Sequence, residues 1–192
     1  VSAGNYGQFK AKASHYNKLL ENVALSIGGY YDRNDGFFTN SFNGKKADKE
    51  ESVGARLGLE WMISPQFKAI YNFSFDYSEQ GAFPYGLYNP ETKETAAVSI
   101  NDSSTYNRRM IGNQLRLEYK SNQFTLSSTT GYRHLKDNMN MDQDFSPLSI
   151  FTLNQKQKQN AFSQEIALKS NQPTNYQWSV GLYGFYDDLH TD

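Results

Sequence analysis

Three histidines, His15, His134 and His190, are the residue types best suited to metal or acid–base chemistry. A zinc pair on a helix needs His-x-x-x-His, which sends two rings out from one face. None of the three has a second histidine at that spacing, so they read as surface or cavity-lining side chains. Asp142 and Asp144 hint at a calcium loop, but the EF-hand pattern is missing, and they read as a solvated acidic loop. The other Asp and Glu residues give no unique pair for glycoside hydrolysis. No Gly-x-Ser-x-Gly elbow and no phosphate loop occurs. With no cysteine, a disulfide scaffold, a zinc–thiolate site and a cysteine nucleophile are excluded. No catalytic residue, no metal site and no cofactor is therefore expected, and the chain does not read as an enzyme.

Aromatic clusters are the better binding candidates. Phe37, Phe38 and Phe42 fall in one long connection, and Phe83, Tyr85, Leu87 and Tyr88 fall in the next. Aromatic side chains exposed in loops are costly unless they bind something or pack together. Ligand contact and loop-to-loop packing are the two readings.

The elements that carry these loops are strands. Val53, Ala55, Leu57, Leu59 and Trp61 alternate with Ser52, Gly54, Arg56, Gly58 and Glu60. A strand sends successive side chains to opposite faces, so this segment has one apolar and one wet face. Eight such segments are expected: Gln8–Tyr16, Asn22–Asp32, Glu51–Ile63, Phe67–Ser78, Arg108–Lys120, Gln123–Leu135, Gln159–Ser170 and Tyr176–Asp187. The alternation lapses at Asn113, Ser128, Thr130 and Gln164, which are polar on faces otherwise apolar. No segment keeps a helical period over a useful length. The wet face carries charges in mid-strand, notably Arg56, Glu60, Arg116, Glu118 and Arg133.

The connections alternate in length. Asn17–Glu21, Ser64–Gln66, Ser121–Asn122 and Asn171–Asn175 are short and rich in turn residues. Arg33–Glu50, Glu79–Asn107 and Lys136–Lys158 are long, and long loops are usually functional. Short turns at one end and long loops at the other is the asymmetry of an outer-membrane β-barrel. Trp61, Phe67, Tyr119, Phe124, Tyr176 and Trp178 gather near the short turns, and Tyr31, Tyr77 and Tyr186 near the far ends. These are the positions of two interfacial aromatic girdles.

Composition agrees. Only 38% of the 192 residues are apolar, low for a soluble all-β core, while 15% are aromatic. The net charge of −1 gives no pull toward nucleic acid. No run approaches a membrane helix, but a barrel strand needs only about 9–11 residues. Val1 opens directly into polar, strand-like sequence, so no signal peptide is expected within these residues. Eight strands with so polar a face would poorly fill a small closed barrel, whose interior is just wide enough for packed side chains. A piece of a larger barrel is expected.

Four stretches carry a family resemblance. They are Gly4–Gly7, Gly28–Phe37 after Glu21–Leu25, Ser127–Arg133 with the acidic Asp142–Phe145, and Phe162–Leu168 followed by Trp178–Tyr183. In this order, over nearly the whole chain, they resemble the barrel of TonB-dependent outer-membrane receptors. The resemblance implies a 22-stranded antiparallel barrel with short periplasmic turns and long extracellular loops. Residues 1–192 would then cover roughly strands two to nine, with Val1–Gly4 the tail of strand one and Gly4–Gly7 an outer turn. The family's plug domain and coupling box are not among these residues. The resemblance also implies uptake of a scarce large nutrient, such as a ferric siderophore, with ligand contact in the outer loops. The implied partners are outer-membrane lipid and an inner-membrane TonB complex that acts through the plug. Siderophore, haem, cobalamin and glycan receptors share the pattern. A passive porin-like channel and a soluble β-sandwich glycan-binding module are the alternatives.

Overall fold

The alternating segments pair in sequence order. A computed structural model describes residues 1–81, 83–172 and 176–192. It is all-β, with strands β1 (Ser2–Ala3), β2 (Phe9–Leu20), β3 (Val23–Asn34), β4 (Glu50–Met62) and β5 (Phe67–Gln80) followed by the small hairpin β6 (Tyr88–Asn89) and β7 (Glu94–Thr95). Then come β8 (Thr105–Lys120), β9 (Phe124–Asp142), β10 (Thr152–Ser170) and β11 (Ser179–Thr191). Apart from the hairpin, the strands form one sheet in the order β1-β2-β3-β4-β5-β8-β9-β10-β11, and every pair is antiparallel.

The register keeps each face consistent across the sheet. Ile27, Leu57 and Phe73 stand in one cross-strand row, and Leu25, Leu59, Tyr71 and Leu115 in the next. Tyr132, Phe162 and Tyr186 continue the first row, so one apolar band crosses β3 to β11. Phe67 and Tyr77 are ten positions apart on β5, about 34 Å of strand at ~3.4 Å per residue and about 26 Å of height at ~40° tilt. That matches the ~25 Å apolar band of an outer-membrane barrel. The band is not a core. Ile27, Val53, Trp61, Leu115, Phe162 and Leu182 on it are exposed, and among the described residues the buried hydrophobic ones, Val98, Ile100 and Met141, sit at the long-loop end. A soluble sandwich would bury this face against a second sheet. Among the described residues, no second sheet covers it.

Of the four polar lapses in the band, Ser128, Thr130 and Gln164 bond to one another and Asn113 bonds to a tyrosine. Tyr71 OH donates to Asn113 Oδ1 (2.6 Å), Thr130 Oγ1 donates to Gln164 Oε1 (2.6 Å), and Gln164 Nε2 donates to Ser128 Oγ (2.9 Å). Paired in this way, their polar atoms avoid the cost of meeting an apolar medium unbonded.

Strand ends differ from the sequence expectations. β2 runs on to Leu20, and the turn is only Glu21 and Asn22, because a register shift between Lys18 and Leu20 takes the alternation out of phase. Lys136–Lys158 is not a loop. β9 and β10 stay paired from Lys136–Lys158 up to Asp142–Thr152, leaving only residues 143–151 as connection. Above the apolar band the positions that would continue it, Lys136, Asn138 and Asn140 with Asn154 and Lys156 opposite, are polar, so the hydrophobic alternation vanishes while the backbone pairing continues. β8 begins at Thr105, and the stretch before it contains the small β6–β7 hairpin. Of the expected Asn171–Asn175 turn, Pro173, Thr174 and Asn175 lie outside the described residues. β11 starts at Ser179 rather than Tyr176, with Ser170 N bonded to Trp178 O at 2.9 Å. At the chain start, Ser2 and Ala3 pair with Lys10 and Phe9 across a turn in which Tyr6 and Gly7 have φ of 60° and 64°.

Candidate functional site

The long-loop end is a knot of three connections. Asn40 is nearly fully buried, and its amide spans to the next loop: Nδ2 donates to Ile100 O (2.7 Å), and Ile100 N donates to Oδ1 (3.1 Å). Ser41 N and Oγ both donate to Val98 O. Asp48 accepts from the backbone N–H of Phe37 and Phe38, which holds residues 35–49 in a tight fold. Asp102 N donates to the Asp142 carboxylate (3.2 Å), and Ser149 Oγ donates to Asp102 Oδ2 (2.9 Å), tying in the third loop.

Asp142 and Asp144 therefore do not form the expected solvated acidic loop. Asp142 is 1% exposed. Asp144 accepts from Ser146 Oγ (2.6 Å) and N, and from Ile150 and Phe151 N. These donors, led by the Ser146 hydroxyl, hold its carboxyl below the ordinary 3.8, because they favour the charged form.

Beneath the knot lies a cavity of about 570 Å³ with a mainly polar wall that includes Arg33, Asn43, Lys45, Lys49, Glu79 and Asn101. The aromatic candidates are not among the residues that line it. Phe37, Phe38, Phe42, Tyr85 and Tyr88 are more than half exposed, and Phe83 is 39% exposed. They do not form one cluster. Phe37 meets Tyr6 at 5.0 Å, while Lys46 bonds Phe37 O and lies over the Tyr6 ring. Phe83 stacks on Tyr85 at 6.0 Å, and Tyr85 meets Phe145 edge-on at 5.2 Å. Among the described residues no ring contact joins these two groups. Phe145 and Tyr6 were missed in the sequence because each is a lone aromatic in a polar stretch. Phe83 (φ 46°) and Phe145 (φ 53°) adopt left-handed backbone, which costs an L residue about 1–2 kcal/mol. That outlay persists only where surrounding contacts impose it.

The other candidates share the polar face. Register and parity put Arg56, Glu60, Arg116, Glu118 and Arg133 on one side, opposite the apolar band. A second cavity, of about 620 Å³, opens on that side over Gly58, Asn72, Gly112 and Gly131, between Arg56 and Arg133. Most charges here are paired. Arg56 Nη2 and Tyr30 OH both donate to Asp76 Oδ1 (2.9 and 2.8 Å), Lys68 meets Glu60 at 3.4 Å, and Arg116 meets Glu118 at 2.9 Å. Gly54 leaves room for the Tyr30 ring, which a Cβ would meet at 2.1 Å. The histidines lie apart from this site: His134 bonds Asn160 and His190 meets Asp192.

No protein-family model matches the sequence, and no curated protein matches it. Solved structures do. The siderophore receptor PiuA of Acinetobacter baumannii superposes with a TM-score of 0.79 at 12% identity, over 98% of this chain and 30% of its own. The ferric yersiniabactin uptake receptor FyuA of Yersinia pestis gives 0.79 at 14% identity, over 97% and 30%. FpvA of P. aeruginosa, solved with an iron-loaded heterologous pyoverdine, gives 0.72 at 13% identity, over 98% and 27%. The chain thus has the fold of part of an outer-membrane receptor barrel. It spans under a third of the receptors it matches.

Proposed function

We propose that this chain is part of the barrel wall of an energy-coupled outer-membrane uptake receptor, with a ferric siderophore or similar iron complex as cargo. The observation that carries the reading is the fold match, over nearly the whole chain, to receptors whose described cargo is a siderophore. The exposed apolar band supports lipid contact, and the polar cavity under knotted long loops supports an external binding vestibule. In this reading residues 1–192 supply roughly strands two to nine of a 22-stranded barrel. Arg56, Glu60, Arg116, Glu118 and Arg133 line the lumen. A plug elsewhere in the receptor gates it, and an inner-membrane TonB complex pulls on the plug. Phe37, Phe38, Phe42, Phe83, Tyr85 and Tyr88 contact cargo at the outer face.

The test is growth of a deletion strain on defined iron sources. Loss of growth on one ferric siderophore, restored by the intact gene, is expected. Equal growth on every source would sink the reading. Uptake that neither saturates nor needs an energised inner membrane would mark a passive channel instead.

A further inference from the structure

The ring stack is built by two loops. Residues 81–104 supply Phe83 and Tyr85, and residues 143–151 supply Phe145. Each side is fixed before any ligand arrives. Tyr85 N donates to Phe83 O (2.8 Å), which closes a tight turn around Pro84. On the other side, Asp144 accepts hydrogen bonds from Ser146, Ile150 and Phe151 and so pins the loop next to Phe145. Both phenylalanines hold a backbone conformation unfavourable to their residue type. Packing against one another leaves ring surface free within residues 1–192: Phe83 is 39% and Tyr85 53% exposed.

We propose that Phe83, Tyr85 and Phe145 form a preset platform for a flat aromatic group of the cargo, so that the preferred iron complex has catecholate or phenolate rings as its chelating arms. The proposal rests on the uptake-receptor reading above and narrows its substrate class. An exposed π face gains from an offset or edge-on ring beyond simple area burial. A platform already held in place loses little conformational freedom on binding. Trihydroxamate chelates offer alkyl arms and no ring, so the platform gives them no comparable partner.

The full-length receptor in detergent tests this with three probes: the ferric complexes of a tris-catecholate, a phenolate and a trihydroxamate chelator. Wild type is expected to bind the aromatic chelates more tightly. Tyr85→Ala and Phe145→Leu should each weaken aromatic-chelate binding by about tenfold and change trihydroxamate binding less than twofold. Phe145→Tyr, which keeps the ring, should restore affinity. Heat-modifiable gel mobility confirms that each variant has folded. Tighter binding of the trihydroxamate, or equal losses for all probes, would overturn the platform while leaving the uptake reading intact. A receptor that binds none of the three ends both.

Discussion

At residue scale, two positions turn small chemical changes into readable effects. Gly54 sits under Tyr30, whose hydroxyl shares Asp76 with Arg56. Gly54→Ala should push the ring aside, break the Tyr30–Asp76 bond and cost about 1–3 kcal/mol, as overpacking does. The cost is read from the urea midpoint of the receptor refolded in lipid vesicles. Pairing it with Tyr30→Ala should recover most of the loss, and strict additivity of the two variants would reject the contact. Asp144 gives a pH signature. Its folded carboxyl titrates below 3.8, so its hold on the loop is fully present above that value and is lost as pH falls through the folded one. Amide exchange at Ser146, Ile150 and Phe151 should stay slow down to about pH 4 and quicken only below it. Asp144→Ala should exchange quickly at every pH, and wild-type protection that persists once every carboxylate is protonated would contradict the assignment.

At element scale, the question is which face of a strand meets lipid. Leu57 stands mid-band between Ile27 and Phe73, while Arg56 stands opposite it beside the second cavity. Leu57→Arg should impair insertion of the receptor by about 2–4 kcal/mol, the depth-dependent cost of a charge on the lipid face. Arg56→Leu should insert normally. Equal tolerance of the two in a vesicle-folding assay would reverse the faces. The β9–β10 ladder belongs to the same scale. Its extension through residues 136–142 and 152–158 raises the third loop above the band, where Asp142 ties it to residues 102 and 104.

At the scale of the whole molecule, an open sheet with an uncovered apolar band cannot be satisfied by water. Its last strand, β11, is paired on one side only. The 192-residue chain alone should aggregate in buffer and disperse only in detergent or lipid, through its unpaired edge and apolar face. Sedimentation of the chain with and without detergent checks this. A folded monomer in plain buffer would return the chain to the soluble-sandwich reading.

Much of the wall was legible in residue order. Alternation depends on the two-residue repeat of a strand, so Val53–Trp61 and Phe67–Tyr77 declared their faces locally. The short–long rhythm of the connections placed the loops at one end. Alternation was silent where it has no physical cause, above the band. There Lys136–Asp142 and Thr152–Lys158 are strands whose band side carries Lys136, Asn138, Asn140, Asn154 and Lys156, and they read as loop. It was equally silent about which distant groups meet. Asn40 grips Ile100 sixty residues away, and Phe145 reaches Tyr85 across sixty more. Such meetings follow from the register of a nine-stranded sheet, and no local pattern encodes them. The strands and their two faces were thus set by sequence alone. The knot, the cavity beneath it and the three-ring stack were decided by long-range pairing in the tertiary structure, because only that pairing brings the loops together.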